Sequence, residues 1–114
     1  MDIRFADRKL EKECSDDRLM LRRQRERRAN LLKSRLAVLA AATSLADIGL
    51  PYRGPMRCHE LTGNLDGVLS IDLDHPYRLL FKPDHDPCPT REAGGLDWTQ
   101  VTMVVILEIA DTHE

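Results

Sequence analysis

Polar and apolar residues alternate at the start of the chain, through Asp2-Ile3-Arg4-Phe5-Ala6, which is the period of a short half-buried strand. Asp7 or Ser15 offers the side-chain oxygen that caps a first helical turn, and the spacing predicts a short helix over Asp7 to Cys14. From Leu19 to Thr43 the period becomes helical. Leu21, Ala29, Leu32, Leu36 and Leu39 recur three, four, seven and eight residues apart and so fall on one side of a long helix. Ser44 to Ile48 predicts one more turn, stopped by Gly49 and Pro51. After Pro55 alternation returns. Strands are expected over Met56 to Leu61, Val68 to Leu73 and Tyr77 to Lys82, joined by Gly63 to Gly67 and by Asp74-His75-Pro76, so an antiparallel meander is the simplest topology. Pro83 to Trp98 holds three prolines, two adjacent glycines and several charges, and is expected to be an exposed excursion. Val101 to Ile109 is nearly unbroken in hydrophobicity and rich in β-branched residues, as a central strand covered on both faces would be. Helices in front and strands behind imply an α+β domain in which the long helix packs on one face of a small, mainly antiparallel sheet and leaves the other face for function.

Length keeps this to one domain spanning 1–114, since 114 residues supply one core and not two. No run approaches the roughly 18 apolar residues that span a bilayer, and the first residues lack the basic start and apolar stretch of a secretory signal. A cytoplasmic protein without membrane contact is the expectation. Cys14, Cys58 and Cys88 are odd in number and widely spaced, which argues against a disulfide framework or a zinc knuckle. The net charge of −2 hides a strong segregation. Arg18, Arg22, Arg23, Arg25, Arg27, Arg28, Lys33 and Arg35 share their stretch with a single acid, Glu26, so a basic helix sits on an acidic body. Such a helix can meet the phosphates of RNA or an acidic partner protein, and charge by itself leaves both open.

Several residues carry candidate chemistry. The C-terminal half runs Arg57-Cys58-His59-Glu60-Leu61-Thr62-Gly63-Asn64, then Gly67-Val68-Leu69-Ser70-Ile71, then Pro76-Tyr77-Arg78-Leu79-Leu80-Phe81, then a final apolar strand and Asp111-Thr112-His113. In that order it resembles the HigB branch of the RelE/ParE toxin superfamily. The resemblance implies a helical pair against a curved antiparallel sheet and neutralisation by a cognate helix-turn-helix antitoxin of the HigA kind, with a toxin–antitoxin heterotetramer as one assembly. It also implies cleavage of messenger RNA on the ribosome. The chain departs from the family at Thr112, where HigB-like proteins usually have Tyr, and at Ser70 and Asp72, where RelE-like relatives carry basic residues.

Metal-free RNA cleavage needs a base for the ribose 2′-hydroxyl, an acid for the leaving 5′-oxygen and cations for the charged phosphorane between them. Imidazole suits both proton transfers near neutral pH. The resemblance assigns them to His59 and His113. Arg78 would clamp the phosphate with its planar fork, Arg57 would add a second contact, and Asp111 would orient His113 or bond a base. Arg22, Arg23, Arg25, Arg27 and Arg28 would grip ribosomal RNA. No cofactor or metal is expected. Plainer readings stand beside these: His59 and His113 as strand-end histidines without a role, and Arg78 as the cross-strand ion-pair partner of Asp72 or Asp74. Asp84-His85-Asp86 with Cys88 has metal-ligand residue types without paired spacing, and Trp98 and Tyr77 serve stacking or packing. A ParE-like gyrase poison and a degenerate antitoxin-binding module are the competing functions.

Overall fold

The computed structural model describes residues 1–65 and 67–111. Its elements follow the expected order: β1 (Asp2–Phe5), α1 (Arg8–Ser15), α2 (Asp17–Ala41), a 3-10 turn (Leu45–Ile48), β2 (His59–Glu60), β3 (Leu69–Asp72), β4 (Tyr77–Pro83), a 3-10 turn (Trp98–Gln100) and β5 (Met103–Asp111). The five strands form one sheet in the order β1-β5-β4-β3-β2, with β2 to β5 antiparallel and β1 running parallel to β5. The α+β class, the meander and the interior place of the last strand are as the hydrophobic pattern requires, but that strand is covered on both faces only through Val104 to Ile106, and Glu108 beyond them is exposed. No helix among the described residues is long and apolar enough to cross a membrane.

Both helices start on an aspartate. Asp7 accepts from the Leu10 amide at 2.7 Å, and Asp16, in place of the expected Ser15, accepts from Arg18 and Leu19. The long helix departs from expectation at Arg25, whose φ of 64° and ψ of 171° interrupt the helical backbone. That interruption resets the phase of the apolar stripe. Leu21, expected in the core, is 51% exposed, and Met20 beside it takes the inward position at 1%. Beyond the break the stripe holds, with Ala29, Leu32 and Leu39 buried.

These side chains pack on one face of the sheet against Leu69, Ile71, Leu79, Phe81, Val104 and Ile106. Register fixes which residues share that face. Residues two apart on a strand point the same way, and directly opposed residues share a side. Leu79 opposes Ile71 and Ile109, which puts Tyr77, Leu79 and Phe81 toward the helix; Arg78, Leu80 and Lys82 must then face away. On that far side Leu80 opposes Ser70 and Glu108, and Ser70 opposes His59.

Two expectations need correction. The strand drawn over Met56 to Leu61 shrinks to His59–Glu60, because Tyr52 and Arg57 take positive φ values of 63° and 45° and the Tyr52 amide bonds the Cys58 carbonyl, closing the segment into a turn. The excursion from Pro83 to Trp98 is not simply exposed. Thr90 bridges Leu96, both Leu96 and Trp98 pack against the core, and the His85 Nε2 accepts from the Thr102 and Met103 amides at 3.1 and 3.3 Å. Buried apolar contacts at its far end hold a segment whose composition reads as loop.

Candidate functional site

Three of the residues singled out in the sequence meet on the face turned away from α2. β2 supplies His59, β4 supplies Arg78, and the turn before β2 brings Arg57 beside them. Between the two arginines stands Asp72, opposite Arg78 in the ladder. The Arg57 Nη1 and the Arg78 Nε each lie 3.8 Å from an Asp72 carboxylate oxygen. That is longer than the roughly 2.7–2.9 Å of a strong charge-assisted hydrogen bond, so the carboxylate holds both guanidinia loosely. The cross-strand ion pair foreseen for Arg78 therefore exists, at a separation longer than a hydrogen bond. Lys82 lies four residues along β4 from Arg78, on the same side and exposed, and extends the cationic row.

His59 is held on two sides. Its ring stacks on Tyr52 with centroids 4.1 Å apart and planes 16° from parallel. Its Nδ1 sits 2.7 Å from the Arg57 carbonyl oxygen. A carbonyl only accepts, so Nδ1 carries the proton and Nε2 is the lone-pair nitrogen of the neutral ring. The residue is 7% exposed, which leaves little of the ring in water. Tyr52, itself exposed, is also approached by the Arg57 guanidinium at 6.0 Å from the ring centre. Tyr52 and Lys82 were missed by sequence reasoning. Tyr52 falls in a Gly-Leu-Pro-Tyr-Arg-Gly-Pro stretch that reads as a breaker, and Lys82 gives no signal until register puts it on the face of Arg78. The thiol next to His59 is no nucleophile, because burial, and secondarily the Glu60 carboxylate, pushes Cys58 up to about 12.

The other candidates lie elsewhere. Asp111 opposes Tyr77, which turns it to the helix side of the sheet, away from His59 and Arg78. His113 lies outside the described residues. Of the basic helix residues, Arg22, Arg25 and Arg27 are exposed on α2, while Arg23 reaches Glu13 at 3.4 Å. Arg28 is taken up structurally: it donates to both oxygens of Asp74 at 2.8 and 3.1 Å and covers the Tyr77 ring at 3.4 Å. Among the described residues no three His, Cys, Asp or Glu side chains converge as a metal site would require. Asp84, one of the residues with metal-ligand chemistry, instead pairs through both oxygens with Arg4 at 3.0 Å.

A capped helical hairpin on one face of a small, mainly antiparallel sheet is a fold that the chain shares with solved structures of YoeB/ParE toxins. The YoeB/ParE toxin from Agrobacterium tumefaciens superposes with a TM-score of 0.56 at 10% identity, over 99% of this chain and 100% of its own. The YoeB dimer from Staphylococcus aureus gives 0.55 at 15% identity, and the YoeB-YefM complex from the same organism gives 0.52 at 14%; each covers 100% of this chain and 98% of its own. No family model matches the chain, and no curated protein matches it in sequence.

Proposed function

We propose that the chain is the toxin of a type II toxin–antitoxin pair, an endoribonuclease of the HigB kind that cuts messenger RNA on the ribosome. The observation that carries the reading is the gathering of Arg57, His59 and Arg78 on one face of a sheet that has the fold of YoeB/ParE toxins. In this reading a backbone phosphate displaces Asp72 from the two guanidinia. His59 accepts the proton of the ribose 2′-hydroxyl through Nε2, and the arginines offset the charge that develops on the phosphorane. His113 delivers the proton to the leaving 5′-oxygen. Arg22, Arg25 and Arg27 supply the exposed cations for ribosomal RNA. No metal or cofactor takes part. The partner is an antitoxin, a reading supported by the YoeB-YefM complex from Staphylococcus aureus, and the HigB resemblance makes it a helix-turn-helix protein of the HigA kind.

Induced expression should arrest growth with cleaved transcripts. His59→Ala and Arg78→Ala should each relieve the arrest, since one acid–base group contributes about 10²- to 10⁴-fold in rate. Arrest undiminished by either substitution would remove these roles. The covered imidazole and the engagement of both arginines by Asp72 favour a second reading, a non-catalytic module that survives to bind its antitoxin. Tight binding of the neighbouring gene product without toxicity would select it. DNA-damage signalling with intact transcripts would instead indicate a ParE-like gyrase poison.

A further inference from the structure

The hydroxyl of Ser70 is, among the described residues, the buried side-chain oxygen without a hydrogen-bond partner. Ser70 is 0% exposed at the middle of β3, so no water competes for it. A buried hydroxyl left unpaired is costly, and a strand position that needed only bulk would be served by alanine or valine. The groups that share its face are few. Leu80 opposes it on β4 and has no polar atom; Asp72, two residues on, is turned to Arg57 and Arg78; His59 opposes it on β2. Directly opposed residues bring their Cβ atoms within about 4.5–5.5 Å, which is within reach of a hydroxyl and a ring nitrogen.

We propose that Ser70 is a positioning residue for His59: its hydroxyl is the second hydrogen-bonding partner of the imidazole, engaged when the ring makes a half-turn about its Cβ–Cγ bond. The half-turn keeps the ring in its plane, so the stack on Tyr52 survives. It carries Nδ1 away from the Arg57 carbonyl, to which that nitrogen now donates. Facing the hydroxyl, Nδ1 accepts the Ser70 proton in a hydrogen bond, and the ring proton leaves Nδ1 for solvent while another is taken up at Nε2. One orientation presents a lone pair at Nε2 that can take a proton, and the other an N–H that, in a neutral ring, can neither take a proton nor give one up. The carbonyl thus holds the tautomer that can act as base, and the hydroxyl holds one that cannot. The inference rests on the nuclease reading for its purpose, and on ladder register and the unpaired hydroxyl for its chemistry.

Long-range ¹⁵N–¹H correlation spectra of the imidazoles test it in the full chain. Native His59 should show nitrogen shifts averaged between the two tautomers, and Ser70→Ala should move them to the pure Nδ1–H form. A native ring already purely Nδ1–H, or shifts identical in native chain and variant, would overturn the proposal. Thermal denaturation adds a second reading of opposite sign: loss of an engaged hydroxyl lowers the midpoint, whereas loss of an orphan raises it, and a raised midpoint in Ser70→Ala also overturns it. If RNA is cleaved, the variant, held in the base-competent tautomer, should show a kcat equal to or above the native value at unchanged KM, and a fall in kcat would overturn the proposal. Absence of cleavage by the native chain would defeat the nuclease reading, and the ring spectra would still decide the role of Ser70.

Discussion

Arg28 illustrates how tertiary contacts reassign a residue that charge patterning marks for RNA. Its guanidinium is bound on two nitrogens by Asp74 and lies flat on Tyr77, with both partners of the ion pair mostly shielded from water. Arg28→Ala leaves the Asp74 carboxylate half-buried without a cation, and is expected to cost about 2–3 kcal/mol in urea denaturation. Arg22→Ala and Arg27→Ala, at exposed positions, should stay within about 0.5 kcal/mol of the native chain in the same measurement. The pair of Arg4 and Asp84 makes a different prediction. The hydrogen bond from Arg4 holds the Asp84 carboxyl below its ordinary value of 3.8, and the Arg4 charge adds to this. A depressed carboxylate contributes stability that is present above the ordinary range and lost as pH falls through the lowered value. Carboxyl NMR should therefore find Asp84 titrating below 3.8, and Arg4→Ala should return it toward that value. A titration unchanged by Arg4→Ala would show that the ion pair does not form in solution.

At the scale of elements, the interruption of α2 matters most. Arg25 sits at φ 64° and ψ 171°, a region that side-chain-bearing residues rarely adopt and glycine enters freely. The backbone is held there from both ends. Asp16 caps the start of the helix, Glu13 of α1 accepts from Gln24 at 2.7 Å just before the break, and Ala29 and Leu32 are buried just after it. Arg25→Gly should relieve the strain and raise stability by about 1 kcal/mol, read as a higher urea midpoint at unchanged slope. A loss of stability would mean that the break is not the preferred conformation. The break also explains why the amphipathic stripe was only partly legible. Leu21 belongs to the stripe of an unbroken helix, and a single left-handed residue moves Met20 into its place. Periodicity cannot register such an event, because it assumes one phase from end to end.

For the molecule as a whole, the two faces of the sheet carry different loads. Phe81, fully buried on the helix side of the sheet, and Lys82, exposed on the opposite side, are neighbours in sequence. Phe81→Ala is expected to cost about 3–5 kcal/mol, a large share of the roughly 5–15 kcal/mol of a small domain, whereas Lys82→Ala should leave stability nearly unchanged. Denaturation curves of the two variants test that division. Equal losses would contradict the assignment of faces from register.

The hydrophobic pattern by itself determined the α+β class, the order of helices and strands, the meander and the central strand, because local period and turn residues record local backbone state. Arg57, His59 and Arg78 were marked by the resemblance of their stretches to a toxin family, not by that pattern. Their meeting with Tyr52, Asp72 and Ser70 was decided by tertiary structure, since cross-strand register depends on pairings between distant segments that no window of sequence contains. The same pairings turned Asp111 to the helix side, gave Arg28 to Asp74 and docked the Pro-rich segment through Leu96 and Trp98. Burial and charge pairing are properties of neighbours in space, and only the folded chain supplies those.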